Sequence, residues 1–313
     1  MKKIGLGVVL LVTFFAGAVL IVPRMRTNEI HSWELVREHL APGKFVQTGP
    51  YTTHYRVKGE GPPLILLHGF LYHSMTWDRV LDALALKFRV YALDLLGFGY
   101  SSRLESGDYS YSLYAEQVRQ FMDALGLTTA SVVGHSMGGG TAIQFAVQHP
   151  ERVDKLILVD SAGLPRPPSV TERIYALPFL GEFFLALPPK ANLKRTLQSL
   201  VFHDPTLVTD AYVDAVGQPL QIVGSGRAVL NILRSRMAGG LRVEVERLGG
   251  VGKPILLLWG REDKLLPLAL GEEMHRLLPG SRLEVLDGVG HNPHEEAPEK
   301  ATDVLVEFLR APR

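Results

Sequence analysis

The sequence Ser131-Val132-Val133-Gly134-His135-Ser136-Met137-Gly138-Gly139-Gly140 places a serine between an apolar run and a row of glycines. The apolar run predicts a buried β-strand, and the residues after the serine, from Met137 to Gln148, predict a helix. The pattern Gly-X-Ser-X-Gly between a strand and a helix is typical of a tight turn that lifts the serine oxygen above a sheet. Glycine at the flanking positions lets neighbouring backbones pack that closely. Ser136 is therefore the candidate nucleophile, and the alternative is a glycine-rich turn with a structural role only.

Short apolar runs alternate with helical patterns on both sides of this turn. The runs that predict strands are Tyr51–Val57, Leu64–Leu67, Val90–Leu93, Ser131–Val133, Leu156–Val159, Ile255–Leu258 and Arg282–Leu286. The helical patterns are Met75–Leu86, Leu113–Leu125, Met137–Gln148, Leu268–Leu278 and Glu295–Leu309. Strands that alternate with helices predict the α/β class, with a mainly parallel central sheet and helices on both faces.

One long segment interrupts this alternation. Residues 161–250 contain no convincing strand, are rich in proline, and show helical patterns over Ala191–Phe202 and Thr209–Val216. We predict that residues 161–250 form a helical cap, or lid. The core is then made of residues 44–160 and 251–313.

A serine hydroxyl is a weak nucleophile unless a base takes its proton and an acid orients the base. Asp263 follows the predicted strand that ends near Trp259, and His291 follows the strand that ends at Leu286. The carboxyl ends of parallel strands meet at one edge of a sheet, where open α/β sheets gather their sites. We therefore predict Ser136, Asp263 and His291 as a catalytic triad.

Three alternatives stay open at this point. Asp160 also lies at a strand end and could serve as the acid, and so could Glu262, which is adjacent to Asp263. His291 and His294 are spaced closely enough to be considered as a metal-binding pair. The preferred interpretation is a serine site that uses neither a metal nor a cofactor.

The oxyanion that forms when serine attacks a carbonyl needs preorganised N–H donors. The backbone N–H of Met137, directly after the nucleophile, is one candidate. The backbone N–H of Phe70 is the other, because Phe70 lies in the loop that follows the strand Leu64–Leu67. We assign His68, in the same loop, a structural role.

Five motifs, taken in order, resemble those of the α/β-hydrolase fold family. They are Leu66-Leu67-His68-Gly69-Phe70, Asp94-Leu95-Leu96-Gly97-Phe98-Gly99-Tyr100-Ser101, Gly134-His135-Ser136-Met137-Gly138-Gly139, Gly260-Arg261-Glu262-Asp263 and Gly290-His291-Asn292-Pro293. The resemblance covers roughly residues 50–310 and implies the same triad and the same two oxyanion donors. The predicted cap, the elbow sequence and the apolar N-terminus make the chain similar to membrane-bound monoacylglycerol lipase-type and carboxylesterase-type members. Dehalogenase and epoxide hydrolase branches use Asp as the nucleophile, so Ser136 argues against both.

The composition narrows the function classes further. Of the 313 residues, 46% are hydrophobic and 21% are charged, which is typical of an ordinary globular protein and excludes disorder. The 33 Lys and Arg residues balance 32 Asp and Glu residues, so the chain lacks the strongly basic balance typical of nucleic-acid binding. The sequence holds no cysteine, which excludes disulfides and a thiol nucleophile.

The N-terminus carries an uncharged apolar run, Ile4–Val22, with Lys2 and Lys3 before it and Arg24 and Arg26 after it. As a helix this run would span roughly 28 Å, close to the ~30 Å hydrocarbon core of a bilayer. We predict that residues 1–28 contain an uncleaved anchor, which makes the chain a single-pass membrane protein of undetermined orientation. A cleaved signal peptide, which would make the protein secreted, and a buried core helix are the alternatives.

These predictions together favour a serine hydrolase that cleaves carboxylic esters through an acyl-enzyme on Ser136. Apolar residues between Leu177 and Leu187 fit an acyl pocket as well as packing within the cap, so the favoured substrates are small lipophilic esters such as monoacylglycerols. The alternatives are a carbon–carbon bond hydrolase or a cofactor-free haloperoxidase with the same triad. A catalytically inactive, membrane-anchored homologue that acts as an interaction protein is the alternative outside enzymes.

Overall fold

The computed structural model describes residues 29–105, 109–186, 189–235 and 240–312. Their strands form one eight-stranded sheet in the order β1-β2-β4-β3-β5-β6-β7-β8. The strands are β1 (Lys44–Thr48), β2 (Tyr51–Lys58), β3 (Pro63–Leu67), β4 (Arg89–Leu93), β5 (Ala130–His135), β6 (Val153–Val159), β7 (Ile255–Gly260) and β8 (Arg282–Leu286). The pairs β1–β2 and β2–β4 are antiparallel, and every other pair is parallel. The predicted α/β class with a mainly parallel sheet is confirmed.

Strand β1 is an addition that the sequence analysis missed. Its first four residues are exposed or half-buried, Thr48 alone is buried, and the strand contains no continuous apolar run. The strand is defined instead by its partner, because Thr48 pairs with Tyr51 across a tight hairpin. Gly49 in that hairpin has a φ of 57°, in the left-handed region that glycine adopts without strain.

The parallel strands inside the sheet are buried on both faces, as their unbroken apolar runs predict, whereas the edge strand β8 is mostly half-buried. In β3, Ile65 and Leu67 point into one hydrophobic cluster while Leu64 and Leu66 point into the other. This alternation follows from the two-residue period of a strand. Helices must therefore cover both faces, and the sheet holds its strand ends in fixed positions.

Thirteen α-helices are assigned in the described part of the chain. They are α1 (Trp33–His39), α2 (Asp78–Ala85), α3 (Tyr111–Ala124), α4 (Met137–Gln148), α5 (Val170–Ala176), α6 (Leu180–Ala186), α7 (Pro189–Thr196), α8 (Asp210–Gly217), α9 (Ser225–Arg234), α10 (Arg242–Leu248), α11 (Leu268–Leu277), α12 (Pro293–Glu296) and α13 (Pro298–Arg310). Helices α3, α4 and α11 supply buried residues to one sheet face, and α2 and α13 supply them to the other.

Helices α5 to α10 lie between β6 and β7, within the segment that we call the cap (residues 161–250). A π-helical turn, Leu197–Val201, follows α7. Residues of this turn and of α8 form a small apolar cluster with Tyr72, which belongs to the loop after β3. The cap therefore packs on the edge of the sheet where the strands end.

The described chain begins against the cap. The backbone N–H of Ile30 donates to the carbonyl of Gln221, and the carboxylate of Glu29 accepts from the N–H groups of Gly224 and Gly226 at the start of α9. The N-terminal run Ile4–Val22, which carried the anchor prediction, lies outside the described residues. Within the described ranges no helix is long and apolar enough to cross a membrane. On this finding we correct the predicted single-pass membrane localisation, which the structure does not support.

Candidate active site

Ser136 occupies a strained turn between β5 and α4. Its φ of 52° and ψ of −118° lie in a region that non-glycine residues rarely adopt and that is common at functional sites. The turn is held by four backbone hydrogen bonds: the N–H of Ser136 donates to Val159, and the carbonyl of Ser136 accepts from Gly139, Gly140 and Ala162. Only a small part of Ser136, 9%, is exposed, so its hydroxyl faces an enclosed space.

The flanking glycines are required by close backbone contacts. A Cβ added at Gly134 would collide with the carbonyl of Gly138, and one added at Gly138 would collide with the carbonyl of Leu67. The second contact joins the start of α4 to the end of β3. The spacing of glycine around Ser136 therefore follows from the geometry of the turn, as the sequence pattern predicts.

Asp263 and His291 meet at the same edge of the sheet. Asp263 Oδ2 lies 2.7 Å from His291 Nδ1, and both side chains are buried. Asp263 Oδ1 accepts from the backbone N–H groups of Leu265 and Leu266 at 2.7 and 2.9 Å, which fixes the carboxylate. An ionised carboxylate has no hydrogen to donate, so Asp263 must accept this hydrogen bond from His291 Nδ1–H. The neutral imidazole then carries its proton on Nδ1, and Nε2 keeps a lone pair that can accept a proton.

The charge of Asp263 is stabilised by these contacts. Burial raises the pKa of the Asp263 carboxyl, but the adjacent His291 and the hydrogen bonds that it receives outweigh burial and hold the pKa below its usual value. Asp263 is therefore ionised at neutral pH and is suited to stabilise a protonated imidazole.

The other acids considered for the triad have different partners. Glu262 accepts from the backbone N–H of Val289 and so supports the loop before His291. Asp160 accepts from the backbone N–H of Gly260 instead and lies beside Asp263. The structure thus brings Asp263, and neither Glu262 nor Asp160, into hydrogen-bond contact with His291 Nδ1.

A metal-binding role for these residues was also tested against the geometry. His294 Nε2 is hydrogen-bonded to Thr76 Oγ1 at 3.0 Å, and His291 Nδ1 to Asp263 Oδ2 at 2.7 Å, so one ring nitrogen of each histidine of the considered pair already has a protein partner. Ligand atoms of Asp160, Asp263 and His291 do lie within 4.8 Å of one another. However, Asp263 and His291 already hydrogen-bond directly, and a cation between them would force these two atoms apart. The arrangement fits a proton-transfer site better than a metal site.

The loop after β3, which carries Phe70, packs on the turn of Ser136 through Gly69. A Cβ added at Gly69 would lie 3.1 Å from Ser136 Cβ, so this loop packs directly on the turn. Ring nitrogen Nε2 of His68 accepts from the N–H of Leu95 at 2.9 Å, which leaves Nδ1 to donate to the carbonyl of Gly69 at 2.7 Å. Because the peptide is planar and trans, this bond also sets the direction of the Phe70 N–H.

Met137 supplies the second predicted donor. It is the first residue of α4, and the first N–H groups of a helix have no acceptor within the helix. The positions of Phe70 and Met137 are compatible with the predicted oxyanion site, and their role as donors stays a prediction.

Burial lowers the pKa of His68 to about 4, so its imidazole is neutral and orients the loop rather than moving a proton.

His135 is a site residue whose contact the sequence did not reveal. It is completely buried, and its Nε2 lies 2.9 Å from the backbone carbonyl of His291. Burial and the neighbouring histidines hold the pKa of His135 well below its usual value, so the ring is neutral and donates this hydrogen bond. The residue before the serine thus supports the loop that carries His291, the predicted base.

Glu296 was also missed. Its Oε1 accepts from the N–H of Gly290 at 2.9 Å, and its Oε2 accepts from the N–H groups of His203 and Asp204 at 2.7 and 3.3 Å. The N–H of His291 itself donates to the carbonyl of Val201 at 2.8 Å. The loop that carries His291 is therefore bonded to the cap at the end of its π-helical turn.

Known proteins resemble this chain in sequence and in fold. A family model described as alpha/beta hydrolase fold matches residues 62–298. The chain is 31% identical over 281 residues to the 2-hydroxymuconate semialdehyde hydrolase of Pseudomonas putida, and the match covers 88% of this chain and 94% of that protein.

Two solved structures extend the comparison. A meta-cleavage product hydrolase from Pseudomonas fluorescens superposes with a TM-score of 0.75 at 27% identity, covering 85% of this chain and 97% of that chain. A bacterial membrane phospholipase A superposes with a TM-score of 0.72 at 29% identity, covering 99% of this chain and 98% of that chain. Two of these three proteins are named hydrolases, and the third is named a phospholipase.

Proposed function

The chain belongs to the α/β hydrolase fold family, and from that premise we propose that it hydrolyses a bond at a carbonyl carbon through an acyl-enzyme on Ser136. The observation that carries the proposal is the 2.7 Å hydrogen bond between Asp263 Oδ2 and His291 Nδ1, at the edge of the sheet where Ser136 lies. It provides an oriented base with a free lone pair beside a serine in a strained turn.

The proposed reaction has two halves. In the first, Ser136 Oγ attacks the carbonyl carbon while His291 Nε2 takes the hydroxyl proton, and Asp263 stabilises the imidazolium. His291 then gives this proton to the leaving group, and the acyl group remains on Ser136. In the second half, water replaces the leaving group, and the acid is released by the same proton transfers. The N–H groups of Phe70 and Met137 would bind the oxyanion in both halves.

Carbon–carbon bond hydrolysis is the type of reaction that the relatives favour. The name 2-hydroxymuconate semialdehyde describes a compound without an ester or amide, so a hydrolase acting on it must break a carbon–carbon bond next to a carbonyl. The similarity of fold to the meta-cleavage product hydrolase supports the same class. The predicted resemblance to monoacylglycerol lipase-type members was narrower than these relatives support. We propose an oxo-dienoate as the substrate instead.

Ester hydrolysis is the second candidate. It is favoured by the match to the membrane phospholipase A, which covers nearly the whole of both chains. The same triad serves both reactions, because each begins with attack on a carbonyl and they differ only in the group that leaves. The nature of the leaving group therefore decides between them.

A parallel assay tests the proposal. Purified protein is assayed separately with 2-hydroxymuconate semialdehyde and with p-nitrophenyl esters of several acyl lengths. Turnover of the first substrate is measured by the loss of its conjugated chromophore, and turnover of the esters by the release of p-nitrophenol. Preferred turnover of the dienoate, by kcat/KM, supports the carbon–carbon proposal, and preferred turnover of the esters overturns it in favour of the second candidate. A fluorophosphonate probe that labels the wild type but not Ser136→Ala supports the acyl-enzyme. A wild type that the probe does not label overturns the serine mechanism and favours the alternative of a catalytically inactive homologue.

A further inference from the structure

Asp160 is a buried acid next to the triad that the proposed reaction does not use. It follows β6 directly, has no exposed surface, and adopts a φ of 38°. A positive φ is uncommon for a residue other than glycine, and such residues are common at active sites. Its backbone N–H donates to the carbonyl of Leu258 in β7, so the strained conformation is held by the sheet.

The two oxygens of the Asp160 side chain have different surroundings. Oδ1 accepts from the backbone N–H of Gly260 at 3.1 Å. Oδ2 is buried and faces no protein donor in the described part of the chain. What lies beside the side chain is the carboxyl of Asp263, whose own oxygens are taken by His291 and by backbone N–H groups. A buried oxygen without a donor, next to a carboxylate, is explained if it carries a proton itself.

Electrostatics point the same way. Burial first, and then the negative charge of Asp263, raise the pKa of Asp160 well above its usual range. Glu296, farther away, acts in the same direction, and only the N–H of Gly260 opposes it. Two carboxyls that share a buried site do not both ionise, and here the charge rests on Asp263, which faces His291.

We propose that Asp160 is a positioning residue whose neutral carboxylic acid donates a hydrogen bond from Oδ2 to the carboxylate of Asp263 while Oδ1 is anchored on Gly260. This inference rests on the proposed roles of Asp263 and His291. Asp160 acts through Asp263: it fixes the orientation of the acid without adding a second negative charge near the imidazole. The acid of the proposed triad then has a supporting residue, contributed by the strand between those that carry Ser136 and Asp263.

The decisive variant is Asp160→Asn. Asparagine has the shape of a neutral aspartic acid, and its amide group can donate to Asp263 while its oxygen accepts from Gly260. We expect kcat within about threefold of wild type and an unchanged midpoint in the pH dependence of kcat/KM. Asp160→Ala removes the donor, and we expect kcat to fall about tenfold with little change in KM, an effect of the size seen for supporting hydrogen bonds. The matched control is Asp154→Asn, the same substitution at the opposite end of β6.

Two outcomes overturn the inference. If Asp160 is ionised in the native protein, Asp160→Asn removes a negative charge, makes the imidazole easier to deprotonate, and moves the midpoint to lower pH. If Asp160→Ala matches Asp160→Asn in kcat, the hydrogen bond to Asp263 positions nothing.

Infrared spectroscopy provides a readout that is independent of turnover. The carbonyl stretch of a protonated carboxylic acid should be present in wild type at neutral pH and reduced in Asp160→Asn. Burial also raises the pKa of Glu295, to about 8, and Glu295→Gln identifies any contribution of this second buried acid. Absence of a band that depends on Asp160 contradicts the inference even in an inactive protein. Failure of the proposed function would be seen separately, as a wild-type protein that the fluorophosphonate probe does not label.

Discussion

Oε2 of Glu296 accepts a hydrogen bond from the backbone N–H of His203 at 2.7 Å, and through it the cap is bonded to the loop that carries His291. The other oxygen of the same carboxylate holds the N–H of Gly290, the residue before the base. The backbone on both sides of this carboxylate is therefore held by one side chain, and the position of the proposed base depends in part on contacts with the cap.

Glu296→Ala should impair both stability and turnover. The substitution leaves backbone N–H groups on two segments without their acceptor, and we expect a loss of about 1–3 kcal/mol in the free energy of unfolding. Because the loop with His291 loses its support, kcat should fall about tenfold or more. Chemical denaturation and steady-state kinetics measure the two effects. The control is Glu299→Ala, an exposed acid at the start of α13 that should stay within about 0.5 kcal/mol of wild type.

Ser136→Ala should abolish turnover and leave the fold intact. The hydroxyl is the proposed attacking group, and its loss in a triad enzyme leaves only the contributions of binding and of the oxyanion donors, so kcat should fall by at least ~10³-fold. Asp263→Asn should fall steeply as well, because an amide at this position can no longer stabilise the imidazolium. Circular dichroism checks the fold. Retention of most activity by Ser136→Ala would exclude the serine mechanism.

Gly138→Ala should destabilise the protein through backbone collision. Its Cβ would meet the carbonyl oxygens of Leu67 and His68, and neither can move without disturbing β3. We expect a loss of at least about 2 kcal/mol. Gly217→Ala is the matched control, because its Cβ meets only the tip of Leu193 at 3.7 Å and Gly217 lies in helix α8. That control should be neutral or stabilising by up to ~1 kcal/mol, and equal effects of both substitutions would contradict the steric argument.

Glu295 should make the stability depend on pH. It is buried with Tyr212 and Asn292 as hydrogen-bond partners, and burial raises its pKa from 4.5 to about 8. Between pH 4.5 and about 8 the folded state therefore binds more protons than the unfolded state. The stability contributed by the protonated carboxyl is fully present below pH 4.5 and is lost as the pH rises towards 8.

The melting temperature of wild type should accordingly fall relative to that of Glu295→Gln as pH increases from about 5 to 8. The difference between the two proteins isolates Glu295 from Asp94 and Asp263, whose lowered pKa values affect stability at acid pH instead. A constant difference in melting temperature across this range would show that Glu295 is already ionised in the folded state.

The sheet and the positions of the proposed triad could be predicted because they depend on local patterns. An apolar run predicts a buried strand, and Ser136, Asp263 and His291 each follow such a run, so the parallel topology alone brings them to one edge. Strand β1 could not be found in this way, since its burial is irregular and its pairing with β2 defines it.

The supporting contacts of the site were not predictable for a related reason. The bond from His135 to His291 spans 156 residues of sequence, and the bond from His203 to Glu296 spans 93. Neither contact leaves a periodic or spaced pattern in the chain. The left-handed conformation of Asp160 was hidden too, because aspartate at a strand end is equally consistent with an ordinary turn.

The parallel pairing of β6 with β7 has a consequence for how readily this chain could acquire new specificity. Val159 pairs with Leu258, so the residues between them leave and re-enter the sheet at neighbouring strands. The entropy cost of closing such an excursion grows only with the logarithm of its length, and doubling the length costs about 0.6 kcal/mol. Insertions and deletions in the cap away from the contacts of Val201, His203 and Asp204 would therefore reshape what reaches Ser136 at little cost to the stability of the sheet.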